Sequence, residues 1–97
     1  MIIVHDIFVC KPGNASKLAK LFKEMMKENK EFVSIMTDMT GQFNRVIMVS
    51  QYENLTAYEK SWEDYQKDAK GMEEMKKKME GYTEMYLTGA REIYQVW

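Results

Sequence analysis

Ile2-Ile3-Val4-His5-Asp6-Ile7-Phe8-Val9-Cys10 decides how the rest of the chain is read. Taken alternately, Ile3, His5, Ile7 and Val9 fall on one side and Val4, Asp6, Phe8 and Cys10 on the other. Side chains of an extended chain point to opposite faces in turn, and here both sets are mostly apolar. The segment therefore reads as a central strand covered on both faces. Lys11-Pro12-Gly13 ends it, because proline removes a ladder donor and glycine permits the turn.

Outward from this strand, Asn14 is an N-cap for a helix running to about Asn29. Ala15, Leu18, Phe22 and Met25 recur at helical spacing, with Ala19, Leu21 and Met26 beside them and Lys17, Lys20, Lys23, Glu24 and Lys27 opposite. Phe32 to Thr40 and Phe43 to Tyr52 read as two strands joined by a tight turn at Gly41-Gln42. Val46-Ile47-Met48-Val49 is continuously apolar, so the second of these should be covered on both faces as well. Asn54 caps another helix with a seam of Leu55, Tyr58, Trp62, Tyr65 and Ala69. Gly71 is expected to break or kink it, after which Met72, Met75, Met79, Tyr82 and Tyr86 resume the seam. Gly89 is expected to punctuate its end and Ala90 to Trp97 to form the last strand, with residues 83–88 readable as helix or as strand.

Strand, helix, strand, strand, helical region, strand is the order of the split βαβ unit. The expected fold class is thus α+β, a ferredoxin-like βαββαβ plait occupying residues 1–97 as one domain. Its antiparallel four-stranded sheet has the spatial order 4-1-3-2 and both helical segments on one face. One helical layer covers one face only. The other would expose Ile, Val, Met and Phe beyond what monomers tolerate, and each Leu-sized side chain left in water forfeits roughly 1.5–3 kcal/mol. A homodimer packed sheet to sheet, a dimeric α/β barrel, is the expected solution.

Composition narrows the partners. A chain of 97 residues with 45% hydrophobic and 30% charged residues is ordinary for a globular domain. With Lys+Arg 14 against Asp+Glu 15, no basic face offers itself to nucleic acid. Lys76-Lys77-Lys78 is flanked by Glu73, Glu74 and Glu80 and reads as a solvated helix face. No apolar stretch reaches the roughly 20 residues that span a bilayer, and Met1 runs straight into a strand without a basic leader. One cysteine excludes an intrachain disulfide, so a reducing cytoplasm is the expected setting. Five scattered glycines argue against a nucleotide cofactor, and no zinc spacing, phosphate loop or nucleophile elbow occurs; no cofactor or metal is expected. Met72, Met75 and Met79 share a helical face but lack Cys or His to complete a soft metal site, so adaptable packing explains them better.

Several stretches together resemble the NIPSNAP-like branch of the dimeric α/β-barrel proteins. They are Cys10-Lys11-Pro12-Gly13, Val46-Ile47-Met48-Val49, Tyr52-Glu53-Asn54-Leu55-Thr56-Ala57-Tyr58 and Gly89-Ala90-Arg91-Glu92-Ile93-Tyr94-Gln95-Val96. The resemblance covers nearly the whole chain, and it implies a homodimer with a cavity in each subunit. The wider superfamily includes cofactor-independent monooxygenases of the antibiotic-biosynthesis type, haem-degrading enzymes and stress-responsive barrels, so fold alone does not select a chemistry. The second helical region here has no histidine, unlike the haem-degrading pattern. Asp6 and Phe8 occupy the places where NIPSNAP-like first strands carry a charged residue and an aromatic, although Asp6 is not the expected basic residue.

Within such a cavity, His5, the only histidine, is the candidate general base. Its plainer role is a half-buried histidine bonded to neighbours or to a second subunit. Asp6 and Arg45 lie on strands that should neighbour each other, and are expected to pair, structurally or around a ligand. Tyr94 shares a side of the last strand with Glu92, and Arg91 shares the other with Gln95. Tyr52, Trp62 and Tyr94, with Asp6 and Arg45, are the candidate ligand-binding residues; Trp62, like Tyr65, reads more readily as part of its helix's core-facing seam. Cys10 reads as a small buried hydrophobe whose thiolate Lys11 could slightly favour. The expected role is binding a small apolar or aromatic molecule in a cavity between sheet and helices, with no catalytic constellation evident and catalysis left open. The alternative is a cofactor-independent monooxygenase acting on an aromatic substrate.

Overall fold

Pro12 and Gly13 stop the first strand where expected, and Gly13 takes a positive φ of 83° to do so. The computed structural model describes residues 1–97. Its elements are β1 (Ile2–Cys10), α1 (Ala15–Met26), β2 (Phe32–Thr37), β3 (Arg45–Tyr52), α2 (Leu55–Lys67), α3 (Ala69–Lys78), a short 3₁₀ turn (Tyr82–Glu84) and β4 (Tyr86–Gln95). All strand pairs are antiparallel and the sheet order is β2-β3-β1-β4, the ferredoxin-like arrangement read from the sequence.

Register assigns the two faces. Asp6 lies opposite Met48 in β3 and Arg91 in β4, and Phe8 opposite Val46 and Gly89. This even-numbered set faces the helices, since the Phe8 ring meets Phe22 of α1 at 4.9 Å between centroids. The core is Cys10, Leu18, Phe22, Val46 and Met79, with Met25, Met48, Met75 and Met85 packed around it. Leu18 and Phe22 are the stripe that the spacing in α1 predicts. Methionine's flexible thioether suits a core whose walls come from a sheet and two short helices.

The opposite face carries Ile3, His5, Ile7 and Val9 from β1, Ile47 and Val49 from β3, and Ala90, Glu92 and Tyr94 from β4. On its helix side β1 buries Ile2, Val4 and Cys10 and leaves Asp6 and Phe8 partly exposed, while on the other side Ile3, His5, Ile7 and Val9 are all half-exposed. From Leu87 to Gln95, β4 is exposed on both faces. Nor does α2 bury any residue; Leu55 and Trp62 of its predicted seam are exposed. Total accessible surface is 7131 Å² for 11.5 kDa. A compact monomer of that mass exposes roughly 5,800 Å², so roughly 1,300 Å² is in excess. The slab-like extents of 37 × 35 × 20 Å account for it: two layers, with nothing over one of them.

Several boundaries differ from expectation. Helix α1 stops at Met26 rather than near Asn29, and Asn14 caps it by position without a side-chain hydrogen bond. Instead of a tight turn at Gly41-Gln42, residues 38–44 form a longer loop, because strand pairing ends at Thr37↔Val46. Gly41 and Asn44 take positive φ there, and Asp38 closes the loop by accepting from both the Arg45 backbone N–H and Nε. Partial desolvation pushes the Asp38 carboxyl up, but the Arg45 hydrogen bonds outweigh it and hold it below the usual carboxylate range. Toward the C-terminus, Gly81 rather than Gly89 ends the helical region, at φ 82°. Residues 82–84 are one 3₁₀ turn, β4 has begun by Tyr86, and Gly89 lies inside it.

The second helical region breaks at Asp68, not at Gly71. Asp68 ends α2 and caps α3, its carboxylate accepting from the Gly71 N–H at 3.0 Å, as Asn54 accepts from Ala57 at the start of α2. A Cβ on Gly71 would collide with that carboxylate. Alanine in a helix is ordinarily better than glycine by about 1 kcal/mol, and loss of a cap costs about 1 kcal/mol. Gly71→Ala is thus expected to yield no gain and to lower stability by up to about 1 kcal/mol in urea denaturation. A stabilised variant would mean that the Asp68 cap is idle.

Candidate functional site

On the helix side of the sheet, the antiparallel register between β1 and β4 sets Asp6 beside Arg91. Arg91 Nε donates to Asp6 Oδ1 at 2.5 Å, joining residues 85 positions apart. The guanidinium carbon lies 5.3 Å from the centre of the Trp62 ring and 6.0 Å from that of Tyr58, both on α2. Tyr58 in turn meets Tyr52 edge-on at 5.0 Å. The exposed α2 seam therefore has a use: spacing of four puts Tyr58 and Trp62 on one helical face, over a cation from the edge strand. The hydrogen bond to Asp6 raises the Arg91 guanidinium above its ordinary range despite partial burial. Tyr58's hydroxyl is buried and has no partner. A phenol so placed ordinarily finds a hydrogen bond.

Beside the ion pair opens a shallow, solvent-facing cleft of about 340 Å³, lined by Asp6, Phe8, Tyr86, Gly89 and Arg91, with the intervening Ile7 and Ala90, whose side chains belong to the open face. Phe8 and Tyr86 form an aromatic corner, with centroids 5.0 Å apart and planes at 71°. At Gly89 a Cβ would approach the Ile7 carbonyl to 3.2 Å and the Phe8 ring to 3.7 Å, so glycine keeps this wall low. A second cleft of about 340 Å³, lined by Glu31, Gln51, Tyr52 and Glu53 among others, lies at the other end of β3. Its lining has one aromatic side chain and neither Lys nor Arg.

The residues singled out from the sequence divide between the two faces. Asp6, Tyr52 and Trp62 gather around Arg91 on the helix side. His5 and Tyr94 lie on the open face, edge to face at 5.2 Å, where Tyr94 donates to Glu92 at 2.6 Å. That hydrogen bond raises the Tyr94 phenol above its ordinary range. Asp6 and Arg45 do not pair: Arg45 lies opposite Val9, hence on the other face, and is bound to Asp38. Cys10 is 2% exposed, and burial followed by the Asp38 charge pushes its thiol up, opposite to any effect of Lys11. Sequence reasoning missed Arg91 and Tyr58. Opposite charges at Asp6 and Arg91, on strands that the plait makes neighbours, were the available signal.

No three His, Cys, Asp or Glu side chains are grouped to hold a metal ion, and no helix is long and apolar enough to cross a membrane.

Among solved structures, a NIPSNAP domain protein from Burkholderia xenovorans is similar over 100% of this chain and 95% of its own, at 10% identity and a TM-score of 0.80. A NIPSNAP family protein from Agrobacterium tumefaciens is similar over 97% and 90%, at 13% identity and a TM-score of 0.77. A Deinococcus radiodurans protein described as a candidate antibiotic biosynthesis monooxygenase is similar over 100% and 93%, at 14% identity and a TM-score of 0.57. At such identities the likeness is one of fold. No curated protein matches. The NIPSNAP family profile matches residues 6–87, from the acid of the ion pair to the start of the last strand, and the chain belongs to the NIPSNAP family.

Proposed function

We infer that this chain works as a homodimer closed over the open sheet face, each subunit binding a small aromatic molecule in the cleft formed by β1 and β4. The dimer is supported by area. An excess of roughly 1,300 Å² per chain matches what one subunit contributes to a permanent homodimer, where 2,000 Å² or more is buried in total. Ile3, Ile7, Val9 and Ile47, half-exposed in the single chain, supply its apolar centre.

The observation that carries the ligand reading is the Asp6–Arg91 pair beside the Phe8–Tyr86 corner. A mostly apolar concavity with a few convergent polar groups is the usual form of a small-molecule site. At about 340 Å³ it is near the lower limit, which suits one or two fused rings. Titration with single- and double-ring aromatic compounds is expected to shift the backbone amides of Phe8, Gly89 and Arg91. Arg91→Ala, folded by circular dichroism, should weaken binding about tenfold. Shifts confined to other surfaces would remove the reading.

A second reading, a cofactor-independent monooxygenase, draws on the same aromatic cleft and on the likeness to the candidate monooxygenase. In that case the carboxylate within reach of a bound ring is Asp6, while His5 lies across the sheet. Oxygen uptake with a bound aromatic compound, lost in Asp6→Asn and kept in His5→Ala, separates it from binding alone.

A further inference from the structure

The cleft's polar equipment specifies more than aromaticity. Arg91 uses only Nε toward Asp6, and Asp6 uses only Oδ1. A guanidinium has five N–H donors and a carboxylate about four acceptor sites, so both Arg91 Nη groups and Asp6 Oδ2 remain available. Both residues line the cleft, and the other lining residues named above bring no charge. The pair is therefore electrically balanced: an anionic ligand attracted by Arg91 meets comparable repulsion from Asp6 at similar distance. A cationic ligand meets the same balance with the signs reversed. What the pair does offer is a donor beside an acceptor, on a site whose flanking surfaces are rings.

Resting on the proposed ligand cleft, the geometry points to a neutral aromatic ligand that presents a hydrogen-bond acceptor next to a donor on one edge, the acceptor to Arg91 and the donor to Asp6. A fused-ring lactam has this pattern. Three features hold the receiving edge in place. Trp62 and Tyr58 lie near the guanidinium, the Nε bond ties the half-exposed Arg91 to Asp6, and Asp6's side chain is only 13% exposed. An edge fixed before binding loses less conformational freedom on complex formation. The same neutrality explains why an aromatic acid is not the class selected. Its carboxylate carries two acceptors and no donor, so Asp6 Oδ2 would face a like charge without a proton between them.

The test uses the native protein and three probes of one shape: 2-quinolone, with acceptor and donor adjacent; quinoline, with an acceptor only; and quinoline-2-carboxylate, an anion. Amide shifts of Phe8, Gly89 and Ala90 report occupancy and give dissociation constants. Expected is 2-quinolone binding about 10- to 100-fold tighter than either other probe, the range for hydrogen bonds to charged groups. Asp6→Asn should abolish the preference over the carboxylate, because the uncompensated Arg91 then favours the anion. Quinoline or quinoline-2-carboxylate binding at these amides as tightly as 2-quinolone would overturn the ligand class while leaving the cleft. Silence at these amides with all three probes would overturn the cleft together with the ligand class.

Discussion

Ile7→Asp is expected to dissociate the proposed dimer, weakening association by about 3–5 kcal/mol, the cost of an unpaired buried charge. Ile7 sits at the middle of β1 on the open face, opposite Ile47 in β3 and Ala90 in β4. Neither residue directly opposite carries a charge, and Arg45, diagonal to Ile7 on the same face, is already bound to Asp38. In one chain Ile7 is half-exposed, so the subunit itself can carry the aspartate facing water at small cost. The penalty falls on the association step, where about 3–5 kcal/mol corresponds to a factor of roughly 100 to several thousand in the dissociation constant. Sedimentation velocity over a dilution series reads this directly. An unchanged association state would mean that another surface joins the subunits.

Phe22→Ala is expected to cost about 3–5 kcal/mol of folding stability. The side chain is 3% exposed and lies between Phe8 of the sheet, at 4.9 Å, and Tyr82 of the 3₁₀ turn, at 6.5 Å. It is thus the residue through which α1, β1 and the C-terminal helical region share one core. Small domains hold a margin of about 5–15 kcal/mol, so this one truncation removes a large part of it. The effect should extend to the cleft, since Phe8 loses its support and forms the aromatic corner with Tyr86. Urea denaturation measures the loss. A change below about 1 kcal/mol would mean that the core lies elsewhere.

What was legible in the chain follows from range. The apolar stripe of α1, the Asn54 cap and the stop at Pro12-Gly13 depend on residues three or four positions apart, and each occurs as read. Element order then sufficed for sheet order. Less legible were features that need a distant partner. Loop 38–44 is shaped by a side-chain pair seven residues apart and by Asn44 at φ 64°, which a strand-like pattern up to Thr40 conceals. Gly89 looks like a stop signal until β1 is laid beside it, where it becomes the low wall of a cleft.

The site shows the same limit more sharply. Period-two alternation placed Asp6 and His5 on opposite sides of β1, but only cross-strand register says which charged residue meets Asp6. Register sets Arg91 there and sends Arg45 to the far face. Tyr58 and Trp62 follow helical spacing, which reads as a core seam; register shows instead that they lie near the Arg91 guanidinium, beside the candidate cleft.

Sedimentation equilibrium of the unmodified protein at micromolar concentration tests the central claim most directly. A single species of about twice 11.5 kDa is expected if, as proposed, a second copy covers the sheet face that the chain leaves open. A stable monomer of 11.5 kDa would contradict it.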